Sequence, residues 1–258
     1  MSSILFEVKN NIALITLNRP EKFNAFNREM ALLLQNILDQ CTTDDSIRAI
    51  FLTGNGKAFC AGQDLGELVG ENPPGFEVIL AEHYNPIVSR IRLIEKPVIC
   101  AVNGVAAGAG ANIALACDVV VASSSAAFIQ AFSKIGLIPD SGGTFTLPRL
   151  IGFAKASALM MLGDKVNATE AERIGMIYKV FSDETFATES FKIAETLSQM
   201  PTKGLAYTKA ALNASFNNSL EEQLLKEDEL QYKAAHTYDY NEGVKAFIEK
   251  RVPVFKGE

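Results

Sequence analysis

The sequence predicts an α/β fold, with repeated ββα or βα units over residues 1–199 and a helical C-terminal region over 200–258. Three observations predict it. Between residues 48 and 122, short β-branched runs are followed by Gly-rich turns and helical spacings, the pattern of strand–turn–helix units. From Asp183 onward the apolar spacing is helical and no strand-like run intervenes. The chain has 258 residues, 48% hydrophobic and 21% charged, enough to close a large core and carry an appendage.

In chain order, residues 4–8 and 12–17 are β-rich runs around Lys9-Asn10-Asn11, which predicts a hairpin ended by Asn18-Arg19-Pro20. Residues 27–40 place Met30, Leu33, Leu34, Ile37 and Leu38 at helical spacing. Residues 48–53 predict a short strand closed by Gly54-Asn55-Gly56. Residues 58–65 read as a loop, unusually apolar and Gly-rich for a solvated connection. Residues 71–75, with Pro73-Pro74-Gly75, read as a mobile surface segment. A helix over 78–93 and a strand over 98–102 follow. A Gly/Ala-rich turn over 103–110 then leads into a helix over 112–116, with a strand over 119–122. The tail predicts helices over 184–199, 203–216, 220–235 and 241–250, with Leu212, Phe216, Leu220, Leu224 and Leu225 forming apolar faces.

Composition removes several function classes. There are 24 Lys and Arg against 30 Asp and Glu, a net charge of −6, so no basic nucleic-acid footprint is expected. No apolar stretch approaches a membrane span, since 98–116 is broken by Asn103 and Asn112. Met1-Ser2-Ser3-Ile4 shows no charged leader before an apolar run, which sets the expectation of a cytoplasmic protein. Cys41, Cys60, Cys100 and Cys117 form no CxxC pair and sit in or beside apolar sequence, as buried free thiols do. With only His83 and His236, a three-His metal site is impossible. Proton chemistry is expected to rest on carboxylates, without a metal.

Two segments could carry that chemistry. The turn Gly104 to Ala111 precedes a helix, whose free N–H groups suit an oxyanion. It is not a dinucleotide fingerprint, because position 113 is Ile113; close helix–strand packing is the plainer alternative. Asp140, in Ile138-Pro139-Asp140-Ser141-Gly142-Gly143, either caps the helix starting near Gly143 or is a partly desolvated carboxylate with a raised pKa.

Cys60-Ala61-Gly62-Gln63-Asp64-Leu65, the stretch from Lys96-Pro97-Val98 to Gly110, and that from Phe128 to Gly143 follow one another in this order. With Asn18-Arg19-Pro20 and Glu242-Gly243 before Ala246-Phe247, they resemble the successive motifs of the enoyl-CoA hydratase/isomerase (crotonase) superfamily over nearly the whole chain. The resemblance implies a spiral of ββα units with a helical C-terminal trimerisation region, and a homotrimer or dimer of trimers. It implies acyl-CoA thioester substrates, with coenzyme A as part of the substrate and no separate cofactor. It also implies that the N–H groups of Gln63 and Ala109 hold the thioester oxygen while an enolate forms. The family usually has Gly where Ala109 stands, but only the N–H is used.

Departures from the family pattern narrow the chemistry. The two Glu residues of the hydratases fall on Asn112 and Phe132, and the Glu of typical enoyl-CoA isomerases also falls on Phe132. Neither side chain can take a proton. Asp140 remains, and residues 131–140 resemble the branch that converts ring 1,2-epoxidised phenylacetyl-CoA to an oxepin-CoA in phenylacetate degradation and shifts 3-enoyl-CoA to 2-enoyl-CoA. The resemblance thus implies an isomerase with Asp140 as single acid/base. Asp64 is expected to order its own loop. Implied coenzyme A contacts are Arg19 and Lys22 for the phosphates, Ala61, Asp64 and Leu65 in the first motif, Phe247 against the adenine, and Lys250. Phe132, Ile138 and Leu65 are expected to line the acyl pocket. Two alternatives stay open: an aryl-CoA dehalogenase-type enzyme with a nucleophilic Asp, and a catalytically silent acyl-CoA-binding subunit.

Overall fold

The computed structural model describes residues 2–69 and 73–258. Strands β1 (Ile4–Lys9) and β2 (Ile12–Leu17) form the expected antiparallel hairpin. Its turn places Asn10 and Asn11 at φ 52° and 62°, a region Asn tolerates better than most residues. Helix α1 (Arg28–Thr43) starts where Asn27 accepts the Met30 N–H at 3.0 Å, a side-chain N-cap. Then come β3 (Ala49–Gly54) and β4 (Ala58–Cys60). The expected loop over 58–65 therefore contains a strand, too short at three residues to show alternation. Of the expected surface segment, Glu71 and Asn72 lie outside the described residues.

Helix α2 (Phe76–Val78) runs through a π turn (Ile79–Tyr84) into α3 (Asn85–Leu93). Pro86 has no N–H to offer the Glu82 carbonyl, so the helix widens there. That carbonyl accepts instead from Gln35 Nε2 on α1 at 2.7 Å. The turn carries Tyr84 inward, 1% exposed. The chain continues through β5 (Val98–Val102), β6 (Val105–Ala107), α4 (Ala109–Leu115), β7 (Val119–Ser123) and β8 (Ala127–Ile129). After α5 (Gly143–Ile151) and α6 (Phe153–Leu162) come β9 (Lys165–Asn167), α7 (Ala168–Arg173) and β10 (Lys179–Phe181). Helices α8 (Phe186–Gln199), α9 (Thr202–Ser215), α10 (Leu220–Ala235) and α11 (Tyr238–Glu249) complete it, and no described strand follows Asp183, as expected.

From β3 to β8, consecutive strands alternate between two sheets. One has the order β1-β2-β3-β5-β7-β10, the other β4-β6-β8-β9. Each turn of chain (β3 with β4, β5 with β6, β7 with β8) gives one strand to each sheet, and these strands are parallel within each sheet. The expected spiral of ββα units is this arrangement. The larger sheet is covered on both faces. Ala49, Phe51, Ile99, Ala101 and Val121 pack with Phe186 and Ala194 of α8, while Ile50, Leu52, Val98, Cys100 and Val120 enter the main core with α1, α3 and α4. Burial on both faces explains why these strands read as continuous apolar runs.

The C-terminal helices are tied to this core by charge. Lys209 on α9, 7% exposed, donates to Asp118 Oδ2 at 2.8 Å and to the Ile91 carbonyl at 2.7 Å. Arg48 donates to the carbonyls of Met200 and Phe255. We expect Lys209→Met, which keeps the stem and removes the ammonium, to destabilise by about 1 to 3 kcal/mol, because the half-buried Asp118 carboxylate loses its nearer cation and keeps only Arg92 at 3.6 Å, and the Ile91 carbonyl loses its donor. Urea unfolding checks this: the midpoint should fall with the slope unchanged. Leu212, Phe216, Leu220, Leu224 and Leu225 stay 41 to 76% exposed. No helix of the described residues is long and apolar enough to cross a membrane.

Candidate active site

The loop after β4 is pinned from one side. Phe26 N–H donates to Gly62 O at 2.7 Å, and Asp64 N–H donates to Phe26 O at 2.8 Å. This bridge turns the intervening Gln63 N–H the other way, where it meets no acceptor among the described residues. Asp64 then holds the next turn, accepting from Gly66 N–H at 3.0 Å and pairing with Arg19 at 2.8 Å. The Arg19 guanidinium holds the Asp64 carboxyl below the ordinary carboxylate range.

The opposite wall comes from β6 and α4. Gly108 N–H donates to Ile129 O at 2.9 Å, and Ala109 opens α4. An N–H in the first turn of a helix has no intrahelical acceptor, and Ala109 N–H finds none elsewhere among the described residues. Gly62 lets the two walls meet. Its φ is +92°, and a Cβ there would stand 3.0 Å from Ala107 O and 3.4 Å from Ala109 N. Gln63 and Ala109 thus line one cavity of about 220 Å³.

Most of that cavity is apolar, with Leu65, Leu68, Ile79, Phe132, Ile135 and Leu137 in its wall. Its side chains with polar ends are Gln63, Tyr84, Lys134 and Asp140. Among the described residues Asp140 is its carboxylate. Burial pushes the Asp140 carboxyl up from its ordinary value, opposed in part by the Ser141 hydroxyl, which donates to Oδ1 at 2.8 Å. The capping alternative for Asp140 fails, because the N-cap of α5 is Gly142 and no side chain caps that helix. Asn112 and Gly143 N–H both donate to the Asp140 carbonyl, at 2.9 and 2.8 Å.

Other expected site residues fall as follows. Ala61, Leu65 and Phe132 line the cavity. Ile138 does not: it is 81% exposed. The Leu137 N–H closes onto Phe132 O at 3.0 Å, which turns Leu137 inward and the next side chain outward. Arg19 is engaged by Asp64 and by the Ala25 carbonyl. Lys22 is exposed, Phe247 is 85% exposed, and Lys250 ends α11 at φ 54°; none of the three lines the cavity.

Two cavity groups escape the sequence reading of the site. Tyr84 OH donates to Gln63 Oε1 at 2.7 Å, and Gln63 Nε2 donates to Glu67 at 2.8 Å. Burial holds the Tyr84 phenol protonated, well above its ordinary value. Lys134 adds a cation. In sequence Tyr84 is a polar-tipped residue within an apolar helix, which also describes an ordinary core tyrosine. The Cys60 thiol is pushed up to about 12 by burial, so it is no nucleophile. His83 is fully buried outside the cavity wall, with Nε2 3.2 Å from an Arg28 nitrogen.

Among the described residues, one carboxylate with raised proton affinity thus shares a mostly apolar cavity with two unengaged backbone N–H groups. Such a set can hold an oxyanion and exchange a proton with a nearby carbon. A family model described as enoyl-CoA hydratase/isomerase matches residues 7–258. A relative from Escherichia coli (strain K12) named 1,2-epoxyphenylacetyl-CoA isomerase is 47% identical, with 100% of both chains covered. A Rhodobacter capsulatus relative, named a probable enoyl-CoA hydratase, is 44% identical over 99% of this chain and 98% of its own. The solved structure of an enoyl-CoA hydratase from Bacillus anthracis superposes with a TM-score of 0.94 at 33% identity, covering 99% of this chain and 100% of that one.

Proposed function

The chain belongs to the enoyl-CoA hydratase/isomerase family, and we propose that within it the chain is an acyl-CoA isomerase with Asp140 as its single acid/base. The thioester oxygen accepts from the N–H groups of Gln63 and Ala109. Asp140 removes a proton from the carbon beside the thioester carbonyl, and the negative charge settles on the held oxygen. The same carboxyl returns the proton to a carbon further along the conjugated system. For a 3-enoyl-CoA the proton leaves C2 and returns to C4, giving the 2-enoyl-CoA. The ring 1,2-epoxide of phenylacetyl-CoA offers an equivalent acidic carbon, and its conversion to the oxepin is the second reaction assigned to Asp140.

The observation that carries this reading is the cavity's charge pattern. Among the described residues Asp140 is its one carboxylate, while the two positions of the hydratases' Glu residues hold Asn112, bound to a carbonyl, and Phe132, in the apolar wall. The relative at 47% identity named 1,2-epoxyphenylacetyl-CoA isomerase supports the same branch. A nucleophilic Asp finds no support: the dehalogenases that this chain resembles support that Asp with a Trp and a His, whereas this chain has no Trp and His83 lies outside the cavity wall. We also propose that Lys22, Phe247 and Lys250 contact coenzyme A and that the exposed leucines of α9 and α10 join copies of the chain into a trimer or a dimer of trimers.

The test compares three substrates. We expect 3-hexenoyl-CoA to give 2-hexenoyl-CoA and ring 1,2-epoxyphenylacetyl-CoA to give the oxepin, with water addition to crotonyl-CoA negligible. Robust formation of 3-hydroxybutyryl-CoA would overturn the single-carboxylate reading. Binding of all three without turnover would favour the silent subunit.

A further inference from the structure

Behind Asp140 lies a chain of buried amides that the proposed proton transfer does not use. Asn112 is 1% exposed and Gln130 is 4% exposed. Asn112 Nδ2 lies 2.9 Å from the Asp140 carbonyl, and Asn112 Oδ1 lies 2.8 Å from Gln130 Nε2. Chemistry fixes the direction of this chain. A carbonyl oxygen only accepts, so Asn112 must turn its NH₂ to Asp140. Its oxygen then accepts, and Gln130 must turn its own NH₂ toward Asn112. The outcome leaves Gln130 Oε1 buried with no partner among the described residues. An unsatisfied buried acceptor is costly, and natural structures hold few of them.

The backbone makes room for this arrangement. A Cβ at Gly143 would stand 2.3 Å from Asn112 Nδ2, so the amide reaches Asp140 because residue 143 has no side chain. Gly143 N–H completes the grip on the same carbonyl at 2.8 Å. Asn112 itself is fixed on α4, whose first residue is Ala109. One short helix therefore carries a proposed oxyanion donor at its start and, a turn later, the amide that holds the proposed base.

We propose that Asn112, oriented by Gln130, is a positioning residue that registers the Asp140 carboxyl against the Gln63 and Ala109 N–H groups. The inference rests on the reading of Asp140 as the acid/base. Asn112 holds the backbone of the base and leaves its carboxyl to the cavity. An uncharged amide does this without placing a second negative charge behind the carboxyl, as Glu at the same position would.

Three variants test it on 3-hexenoyl-CoA: Asn112→Leu, Gln130→Met and the double variant. Small misplacements of a reacting group cost up to about a hundredfold, so Asn112→Leu should lower kcat about 10- to 100-fold. Gln130→Met leaves Asn112 unoriented and should lower kcat about 3- to 10-fold, with KM within about twofold in both. Gln130→Met exchanges one orphaned buried acceptor, Gln130 Oε1, for another, Asn112 Oδ1, so its melting temperature should stay close to the wild type's while kcat falls, which a purely structural role would not produce. The double variant should be no worse than Asn112→Leu, since the two act in series. Wild-type kcat in Gln130→Met, or a KM that rises as kcat falls, overturns the proposal whether or not Asn112→Leu folds. Asp140→Asn separates the two ideas. If it abolishes turnover while Gln130→Met leaves kcat intact, only this inference falls; if it retains turnover, the reading of Asp140 falls first.

Discussion

Asp140→Asn should lose isomerisation of 3-hexenoyl-CoA by about a thousandfold in kcat, within the range of 10² to 10⁴ for a general acid–base group, with KM within a few-fold. The same variant should be more heat-stable than the wild type at pH 8. The first effect is the loss of the group that takes the proton; the second comes from the burial that lifts the carboxyl's proton affinity. The folded protein favours the neutral acid, so this group's contribution to stability is greatest below the unfolded-state pKa, about 3.9. It is lost as pH rises through the higher folded-state value. Asn stays neutral throughout, and its Oδ1 still accepts from the Ser141 hydroxyl. The stability gap between variant and wild type should therefore close as pH falls below about 4. Activity runs the other way: the base works as the carboxylate, so wild-type kcat should decline as pH falls, with a midpoint above that of an exposed Asp. A near-wild-type rate in Asp140→Asn would discard the assignment, and thermal scans at pH 4 and 8 check the linked stability effect.

The parts of the fold legible in the sequence are those where one local rule decides. Asn27 before the Met30, Leu34, Ile37 and Leu38 stripe marks a capped helix because its side chain satisfies a first-turn N–H. The Asn10-Asn11 turn and the β5 run follow equally from backbone tolerance and apolar burial. Strands β4, β6 and β8 have three residues each, too few for any period to show; they exist because the preceding long strands deliver the chain to a second sheet. At the site, the order of motifs locates Gln63, Ala109 and Asp140 along the chain, yet not what each side chain does. Residues 137 and 138 are both apolar, and only the closure of Leu137 onto Phe132 decides which faces the cavity. Asn112 reads in sequence as a missing Glu; its role as a donor to the Asp140 carbonyl depends on Gly143, thirty-one residues away, having no Cβ.

Gly62→Ala should lower kcat about 100- to 1,000-fold, the loss seen when one donor of an oxyanion hole is removed, while the chain still folds. Residue 62 adopts φ +92°, and the added Cβ would press on Ala107 O at 3.0 Å and Ala109 N at 3.4 Å. Those atoms belong to the wall carrying the Ala109 N–H, and Gln63 is the very next residue on the other side. Relief of the contact must move one donor away from the other, and an oxyanion between them then loses a hydrogen bond at the moment its charge develops. Strain alone also accompanies an Ala at positive φ, at about 1 to 3 kcal/mol. Gly152→Ala separates the two causes: Gly152 has φ +79° with nothing within 4 Å of its added Cβ, and it lies outside the cavity wall. Both variants should lose comparable stability in urea unfolding, but only Gly62→Ala should lose turnover. Equal kcat in the two variants would mean that the spacing of the Gln63 and Ala109 amides does not set the rate. A selective loss in Gly62→Ala ties the rate to the one contact through which the two walls of the cavity meet.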